Sequence, residues 1–138
     1  MIKSCRFLVV LDTMWGAGGE KAPAWFAINP LNHSGKRLYK ITRSAFGGVW
    51  VTNSCKFQVG HSNAHGKPDP ICLAANLRRL PVWCKKLPLL VMGKVAQQTY
   101  CEISWDHEGP VLMFPHPAAR NWTKASLQAA TELIGGLR

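Results

Sequence analysis

Apolar residues occur along the chain in four short runs, at residues 24–28, 49–52, 87–92 and 111–114. The runs are nearly continuously apolar rather than alternating. This is typical of strands that are covered on both faces of a parallel sheet. We therefore predict four strands, and the polar, turn-rich segments between them are where helices and loops are expected.

Four helical segments are predicted between and after these runs. Residues 36–46 form a short basic stretch, and residues 93–101 follow the third run. Residues 70–86 begin with a proline directly after Asp69, a residue type that caps helices, and Pro81 is expected to end or kink the helix. Residues 123–134 form the last helix, and Gly135 and Gly136 stop it. Strands that alternate with helices predict an α/β fold: three-layer α/β/α with a central, mostly parallel, four-stranded twisted sheet.

Composition favours one globular domain over residues 1–138. The chain is 47% hydrophobic and 17% charged, which argues against disorder. The apolar run Phe7–Leu11 is shorter than the core of a typical secretory signal, and Asp12 closes it. We therefore predict no signal peptide, and the role of residues 1–23 is left unassigned.

The net charge indicates the kind of binding partner, and the cysteine content indicates the cellular compartment. The net charge of +10 favours a polyanionic partner, most simply nucleic acid, although a basic solvated surface is the alternative. The five cysteines have no short paired spacing, which favours free thiols in a reducing cytoplasm. No apolar stretch is long enough to span a membrane.

Polar side chains follow the predicted strands. Asn29 follows the first run, Asn53 the second and His116 the fourth. Ligands of open α/β sheets bind at the carboxyl ends of the strands. His116 lies between Pro115 and Pro117, a setting that could be an ordinary turn or a way to fix the direction of its ring.

Several short motifs in this order resemble those of the uracil-DNA glycosylase superfamily. The matching segments are AINP (27–30), TNSCKF (52–57), LLVMGKVA (89–96) and HPAARN (116–121). They cover most of residues 24–135. The sequence departs from the family pattern at Ala27, Leu31, Ala118 and Ala119, and the chain is short for the superfamily.

The resemblance implies a DNA glycosylase that hydrolyses the N-glycosidic bond of uracil, or of a related modified pyrimidine, after the base has been flipped out of DNA. In that reading Asn29 orients the attacking water, and His116 stabilises the departing base. Asn53 reads the base edge, Tyr39 stacks on the base and Leu31 lies near its C5 edge. The protein is expected to need no cofactor and to act as a cytoplasmic monomer on DNA.

The remaining implied residues contact DNA. Arg120, Asn121 and Trp122 are expected to fill the gap that the flipped base leaves, and Lys36 and Arg37 to contact phosphates. For each of these residues a structural role is the alternative, as a turn asparagine, a surface cation or a core aromatic.

Two other functions stay open at this stage. The altered motif residues would also fit a catalytically weak or inactive base-flipping module that binds DNA. A small nucleotide- or metal-binding protein is the third possibility, with zinc held by Cys55, His61, His65 and Cys72. An iron–sulfur cluster is not expected, because the first cysteine pair of the cluster-bearing branch is missing.

Overall fold

The computed structural model describes residues 5–12, 25–27, 33–44, 48–53 and 68–137. In chain order, the elements are β1 (Phe7–Leu11), β2 (Phe26–Ala27), α1 (His33–Thr42), β3 (Val49–Asn53), α2 (Pro70–Arg78), β4 (Leu89–Met92), α3 (Lys94–Cys101), β5 (Val111–Phe114) and α4 (Lys124–Gly135). A short 3-10 helix, Val82–Lys86, lies between α2 and β4.

The strands form one mixed sheet in the order β2-β3-β1-β4-β5. Strands β3, β1, β4 and β5 are parallel, and β2 pairs with β3 in the antiparallel direction. The predicted α/β class and the mostly parallel sheet are therefore confirmed. The predicted number of strands is wrong, because the described sheet has five strands rather than four.

The strand that the sequence prediction missed is β1, at the centre of the sheet. All five of its residues are buried, and it pairs with β3 on one side and β4 on the other. A run of five apolar residues near the beginning of the chain is as long as an ordinary strand. A short apolar run after a basic residue also resembles the core of a signal sequence, so apolarity alone does not identify it as a strand.

The first predicted strand, residues 24–28, is also corrected. Among the described residues of this range, 25–27, Phe26–Ala27 forms a strand, and it lies at the edge of the sheet. Phe26 pairs with Val51 and Ala27 with Trp50, so β2 runs against the other strands. Apolar periodicity shows that a segment is extended, but it carries no information about strand direction.

The four predicted helices are confirmed with changed bounds: α1 begins three residues earlier and ends four residues earlier than predicted, and α2 ends at Arg78. The Asp69 carboxylate accepts a hydrogen bond from the Cys72 N–H at 2.9 Å, so it caps α2 as expected. The helix ends before Pro81, and the 3-10 helix follows this break. The Thr123 and Ser126 side chains cap α4 reciprocally.

Helices cover both faces of the sheet. Phe7, Val9 and Leu11 of β1 face a hydrophobic cluster to which α1 and α4 contribute. Leu8 and Val10 face a second cluster, built with α2 and α3. Across the sheet, the chain moves one way from β1 to β3. It moves the other way from β3 to β4 and from β4 to β5. Right-handed crossovers therefore put α1 on the other face from α2 and α3.

Two buried thiols belong to the second cluster. Burial raises the pKa of Cys5 to about 12, and the neighbouring Cys84 thiol contributes to the rise. Burial also raises the pKa of Cys84. The Cys5 thiol donates a hydrogen bond to the Phe7 carbonyl at 3.1 Å. Both side chains therefore act as small apolar groups and stay protonated at neutral pH.

Candidate active site at the carboxyl edge of the sheet

The four parallel strands end along one side of the sheet, which we call the carboxyl edge. Asp12 follows β1, Asn53 ends β3, Gly93 follows β4 and His116 lies two residues beyond β5. After β3 the chain crosses β1 and continues on its other side, so the strand order reverses between β1 and β4. In open α/β sheets, ligands bind in the crevice at such a reversal.

Asp12 lies at this reversal. The residue is only 9% exposed, and its Oδ1 accepts a hydrogen bond from the Ala96 N–H at 2.9 Å. Ala96 is in the first turn of α3, where the helix dipole and the unpaired N–H groups favour a negative charge. The fold therefore supplies a fixed place for a buried carboxylate between two parallel strands.

Gly93 makes room for this carboxylate. Its φ is +99°, and a Cβ atom at this position would lie 2.7 Å from Asp12 Oδ1. Any side chain would therefore be strained in its backbone and would displace the carboxylate. The Gly93 N–H donates to the Phe114 carbonyl at 2.9 Å, which ties the end of β4 to the end of β5.

Asn53 is the last residue of β3 and pairs with Leu11. Its side chain lies on the same face of the sheet as Val49 and Val51, the face that α1 and α4 cover. The side-chain oxygen, Oδ1, is buried and has no hydrogen-bond partner among the described residues. A buried acceptor without a partner is costly in a folded protein, so this oxygen is expected to accept a hydrogen bond from a water molecule or a ligand.

His116 lies in the segment between β5 and α4, residues 115–122, which we call the His116 loop. Its Nδ1 accepts a hydrogen bond from the Ala118 N–H at 3.0 Å. Since Nδ1 is the acceptor, the ring proton of the neutral imidazole is on Nε2. The His116 carbonyl accepts from the Ala119 N–H and from Trp122 Nε1, each at 2.9 Å.

Two side chains from neighbouring helices hold this loop in place. From α3, Gln97 donates at 2.9 Å to the carbonyl of Phe114, the last residue of β5, which directly precedes the loop. From α1, Arg37 Nη1 donates to the Pro117 carbonyl at 2.7 Å and to the Ala119 carbonyl at 3.1 Å. The Arg37 guanidinium also lies over the Trp122 ring, 5.8 Å from its centroid.

The other expected DNA contacts differ in their surroundings. Arg120 and Asn121 are exposed, as is Lys36 on α1. Trp122 is half-buried, and its ring lies 6.3 Å from the Phe114 ring, centroid to centroid. Tyr39 is half-buried and packs against the cluster beneath α1. The side chains of Arg37, Trp122 and Tyr39 are therefore engaged inside the protein.

Asn29 and Leu31 lie outside the described residues. The premise that Asn29 follows the first parallel strand is nevertheless corrected, because β2 is antiparallel and its carboxyl end is at the opposite edge of the sheet. Cys55, His61 and His65 also lie outside the described residues. Cys72, the fourth residue of the expected zinc set, is half-buried on α2.

Asp12 is the candidate site residue that the sequence reasoning missed. The signal was present: an uninterrupted apolar run, Phe7–Leu11, that ends at a carboxylate. The same pattern of a strand followed by a polar residue had singled out Asn53 and His116. Gln97 gave no such signal, because a glutamine in a helix is most often an exposed residue.

No protein-family model matches the chain, and no curated protein matches it. Within the described ranges, no helix is long and apolar enough to cross a membrane.

Proposed function

We propose that the protein is a monofunctional DNA glycosylase that removes uracil, or a related modified pyrimidine, flipped out of DNA. It would act as a cytoplasmic monomer without a cofactor. The observation that carries this proposal is the buried, unpaired Oδ1 of Asn53, at the same sheet edge as the Asp12 carboxylate and His116. The resemblance of the sequence motifs to the uracil-DNA glycosylase superfamily supports it.

Asn53 is proposed to read the base. Its Oδ1 can accept the N3–H of uracil while its Nδ2 donates to O4. Cytosine presents an acceptor at N3 and a donor at position 4, so it cannot make this pair. Uracil would therefore supply a hydrogen-bond donor to the Asn53 oxygen, which has no described partner in the protein. A base that leaves this buried oxygen unpaired would bind less tightly, which makes the site selective for uracil.

His116 is proposed to stabilise the departing base. The N-glycosidic bond breaks as negative charge develops on the pyrimidine, and the Nε2–H of a neutral imidazole can donate to O2. A fixed donor of this kind contributes about 3–4 kcal/mol in well-studied oxyanion sites. The Ala118 N–H on Nδ1 supports this role because it keeps the ring proton on Nε2.

Asp12 is proposed to act on the sugar and the water. The resemblance assigns the water-orienting group to the end of the first parallel strand, and that strand is β1 rather than residues 24–28. A carboxylate there can orient the attacking water and stabilise positive charge on an oxocarbenium-like sugar. We therefore assign to Asp12 the role that the sequence reasoning gave to Asn29.

DNA binding is proposed to use the exposed face of α1. His33, Lys36 and Lys40 lie on this face at helical spacing, and Arg43 follows the helix; all four are exposed. We call these residues the basic face of α1. No acidic residue occurs in α1. With Arg120 and Asn121 of the His116 loop, this face would follow the phosphate backbone.

A second candidate function is a base-binding module that has lost turnover. The favouring observation is that Asp12 Oδ1 accepts a hydrogen bond from α3, so the carboxylate also serves as a structural cap. In that case Asn53 would still bind a flipped base, but Asp12 would only stabilise the fold.

The test uses single- and double-stranded oligonucleotides that contain uracil or 5-substituted uracils, with alkaline cleavage of the abasic product. We expect strand scission on at least one substrate, lowered about 100-fold or more by Asp12→Asn and by His116→Ala. Asn29→Ala serves as the comparison and is expected to have a smaller effect than Asp12→Asn. Folded protein that leaves every substrate intact contradicts the glycosylase proposal. Binding of uracil-containing DNA without base release, unchanged by Asp12→Asn, supports the inactive module.

A further inference from the structure

We propose that Arg37 is a positioning residue for His116, which holds the imidazole through the Pro117–Ala118 peptide and does not bind a DNA phosphate. The inference deepens the proposed function, because it concerns the group that would stabilise the departing base. It also differs from the sequence prediction, in which Arg37, a basic residue on a basic helix, contacts a DNA phosphate.

The connection runs through a single peptide unit. The Pro117 carbonyl and the Ala118 N–H are the two ends of one planar group, and the described part of the chain has no cis peptide bond. In a trans peptide these two groups point in opposite directions. Arg37 Nη1 holds the carbonyl end at 2.7 Å, and the N–H end donates to His116 Nδ1 at 3.0 Å. The orientation of this peptide therefore couples Arg37 to the imidazole.

A second bond from the same nitrogen prevents the peptide from rotating. Arg37 Nη1 also donates to the Ala119 carbonyl at 3.1 Å. The Ala119 carbonyl belongs to the Ala119–Arg120 peptide, and the peptide between the two, Ala118–Ala119, donates its N–H to the His116 carbonyl at 2.9 Å. The three consecutive peptides from Pro117 to Arg120 are therefore each held by a hydrogen bond.

Trp122 completes the arrangement on the other side of His116. Its ring lies under the Arg37 guanidinium, and its Nε1 donates to the His116 carbonyl at 2.9 Å. The backbone of His116 and its ring are therefore both held by groups that contact Arg37. A planar guanidinium is suited to this task, because it can donate to carbonyls in its plane while its face stacks on an aromatic ring.

The chemical consequence concerns the position of the ring proton. With the Ala118 N–H on Nδ1, only Nε2 can carry the proton of the neutral ring. If Arg37 is lost, the Pro117–Ala118 peptide can turn and Nδ1 loses its donor. The preference for a proton on Nε2 is then weaker, and so is the constraint on the orientation of the ring.

The surroundings of Arg37 argue against a phosphate contact. The residue is half-buried and its Nη1 is bonded to two carbonyls, whereas its neighbour Lys36 is exposed on the same helix. An arginine held in this way adds positive charge to the surface, but its Nη1 is not free to donate to a phosphate.

The test is Arg37→Lys, which keeps the positive charge but removes the planar group. The first readout is long-range proton–nitrogen NMR of the histidine rings, with His116→Gln identifying the His116 signals. In the wild type we expect an unprotonated Nδ1 and a protonated Nε2. In Arg37→Lys we expect averaged nitrogen shifts for His116 and a kcat for base release lowered about 10- to 100-fold. KM and the salt dependence of DNA binding should stay unchanged.

Arg78→Gln is the matched control for charge. Arg78 is exposed at the end of α2, on the opposite face of the sheet from α1. Its replacement should leave the His116 signals and kcat unchanged. Trp122→Phe is a second variant, which keeps an aromatic ring but removes the bond to the His116 carbonyl. It should broaden or shift the His116 signals in the same direction as Arg37→Lys, and it decides the question if Arg37→Lys does not fold.

Unchanged His116 signals in the folded Arg37→Lys and Trp122→Phe variants would overturn the proposal. A higher KM for Arg37→Lys with a reduced salt dependence would overturn it as well, because that result indicates a phosphate contact. If the wild type releases no base from any substrate, the NMR comparison still decides the positioning role, while the proposed function fails separately.

Discussion

Asn53 and Asn76 bring amide groups to opposite faces of the sheet at the end of β3. Asn76 Nδ2 donates to Thr52 Oγ1 at 3.0 Å, whereas the buried Asn53 Oδ1 has no partner among the described residues. The two residues are therefore a natural pair of matched variants: one amide is bonded within the fold, and the other has a buried oxygen without a described partner.

For Asn53→Ala we expect stability to be retained and activity to be lost. Removing a buried unpaired acceptor relieves a desolvation cost of about 1–3 kcal/mol, which offsets the lost packing. The free energy of unfolding in urea should therefore fall by less than about 1 kcal/mol or rise, while uracil release falls about 100-fold. Asn76→Ala should do the reverse, with a loss of about 1–3 kcal/mol in stability and normal turnover of the folded fraction. Equal losses of stability in both variants would count against a ligand role for Asn53.

Gly93→Ala is expected to disturb the Asp12 carboxylate. The positive φ and the 2.7 Å approach to Asp12 Oδ1 should together cost about 1–3 kcal/mol of stability. Base release should also fall, because the carboxylate must move. Gly135→Ala, in α4, is the control: nothing lies within 4 Å of its Cβ position, so stability should stay equal or rise by up to about 1 kcal/mol. Thermal or urea unfolding of both variants measures the difference, and a Gly93→Ala protein as stable as the wild type would contradict the close approach.

The basic face of α1 should account for part of the salt dependence of DNA binding. Lys36→Gln and Lys40→Gln each remove one exposed cation. Each should reduce the slope of log K against log salt concentration by about 0.9 for duplex DNA. Arg78→Gln, on the other face of the sheet, should leave the slope unchanged. Slopes that do not change in the two lysine variants would exclude this face as a phosphate-binding surface.

Alkaline pH should destabilise the protein through Cys5. Burial raises the pKa of this thiol from 9.0 to about 12 in the folded state, so the unfolded chain loses its proton first. The stabilising contribution of the protonated thiol is complete below about pH 9 and is lost progressively as the pH rises toward 12. For one thiol the slope is at most about 1.4 kcal/mol per pH unit. Urea unfolding at several pH values should show a shallower decline for Cys5→Ala, and identical declines would show that another group is responsible.

Thiol labelling gives an independent check of the same burial. Cys101 is exposed, whereas Cys5 and Cys84 are buried. Native protein should therefore react at Cys101 with a small thiol reagent while Cys5 and Cys84 stay unmodified until urea is added. Rapid labelling of Cys5 in the native protein would contradict its position in the core.

The sequence predicts an element correctly where two independent sequence features indicate the same element. The run at Val111–Phe114 is followed by a capped helix, and Asp69 with Pro70 marks the beginning of α2. The strand β1 has only its apolar run, since the segment that follows it gives no helical pattern until α1. The direction of β2 could not be predicted either, because it depends on pairing with β3, which residue periodicity does not record.

The placement of Asn53 at the end of β3 and of His116 just beyond β5 could be predicted, because each follows an apolar run. The inward roles of Arg37 and Trp122 could not, because they depend on a loop that is distant along the chain. A cation on a basic helix is usually solvated, and only the contact with the Pro117 carbonyl distinguishes Arg37 from Lys36. Asp12 directly follows the apolar run Phe7–Leu11, which is a local sequence feature. The feature indicates a site residue only once that run is recognised as a strand.

The central position of β1 has a consequence for how the protein reaches its native state. This strand leaves the ribosome before its two neighbours, which begin at Val49 and Leu89. Until Met92 has emerged, five apolar residues have at most one partner strand and an open edge on the other side. Pairing between such distant segments is slow, and an exposed apolar strand can associate with other chains. Nascent chains that stop before β4 should therefore depend on chaperones, whereas chains that extend through α4 can close the sheet on their own.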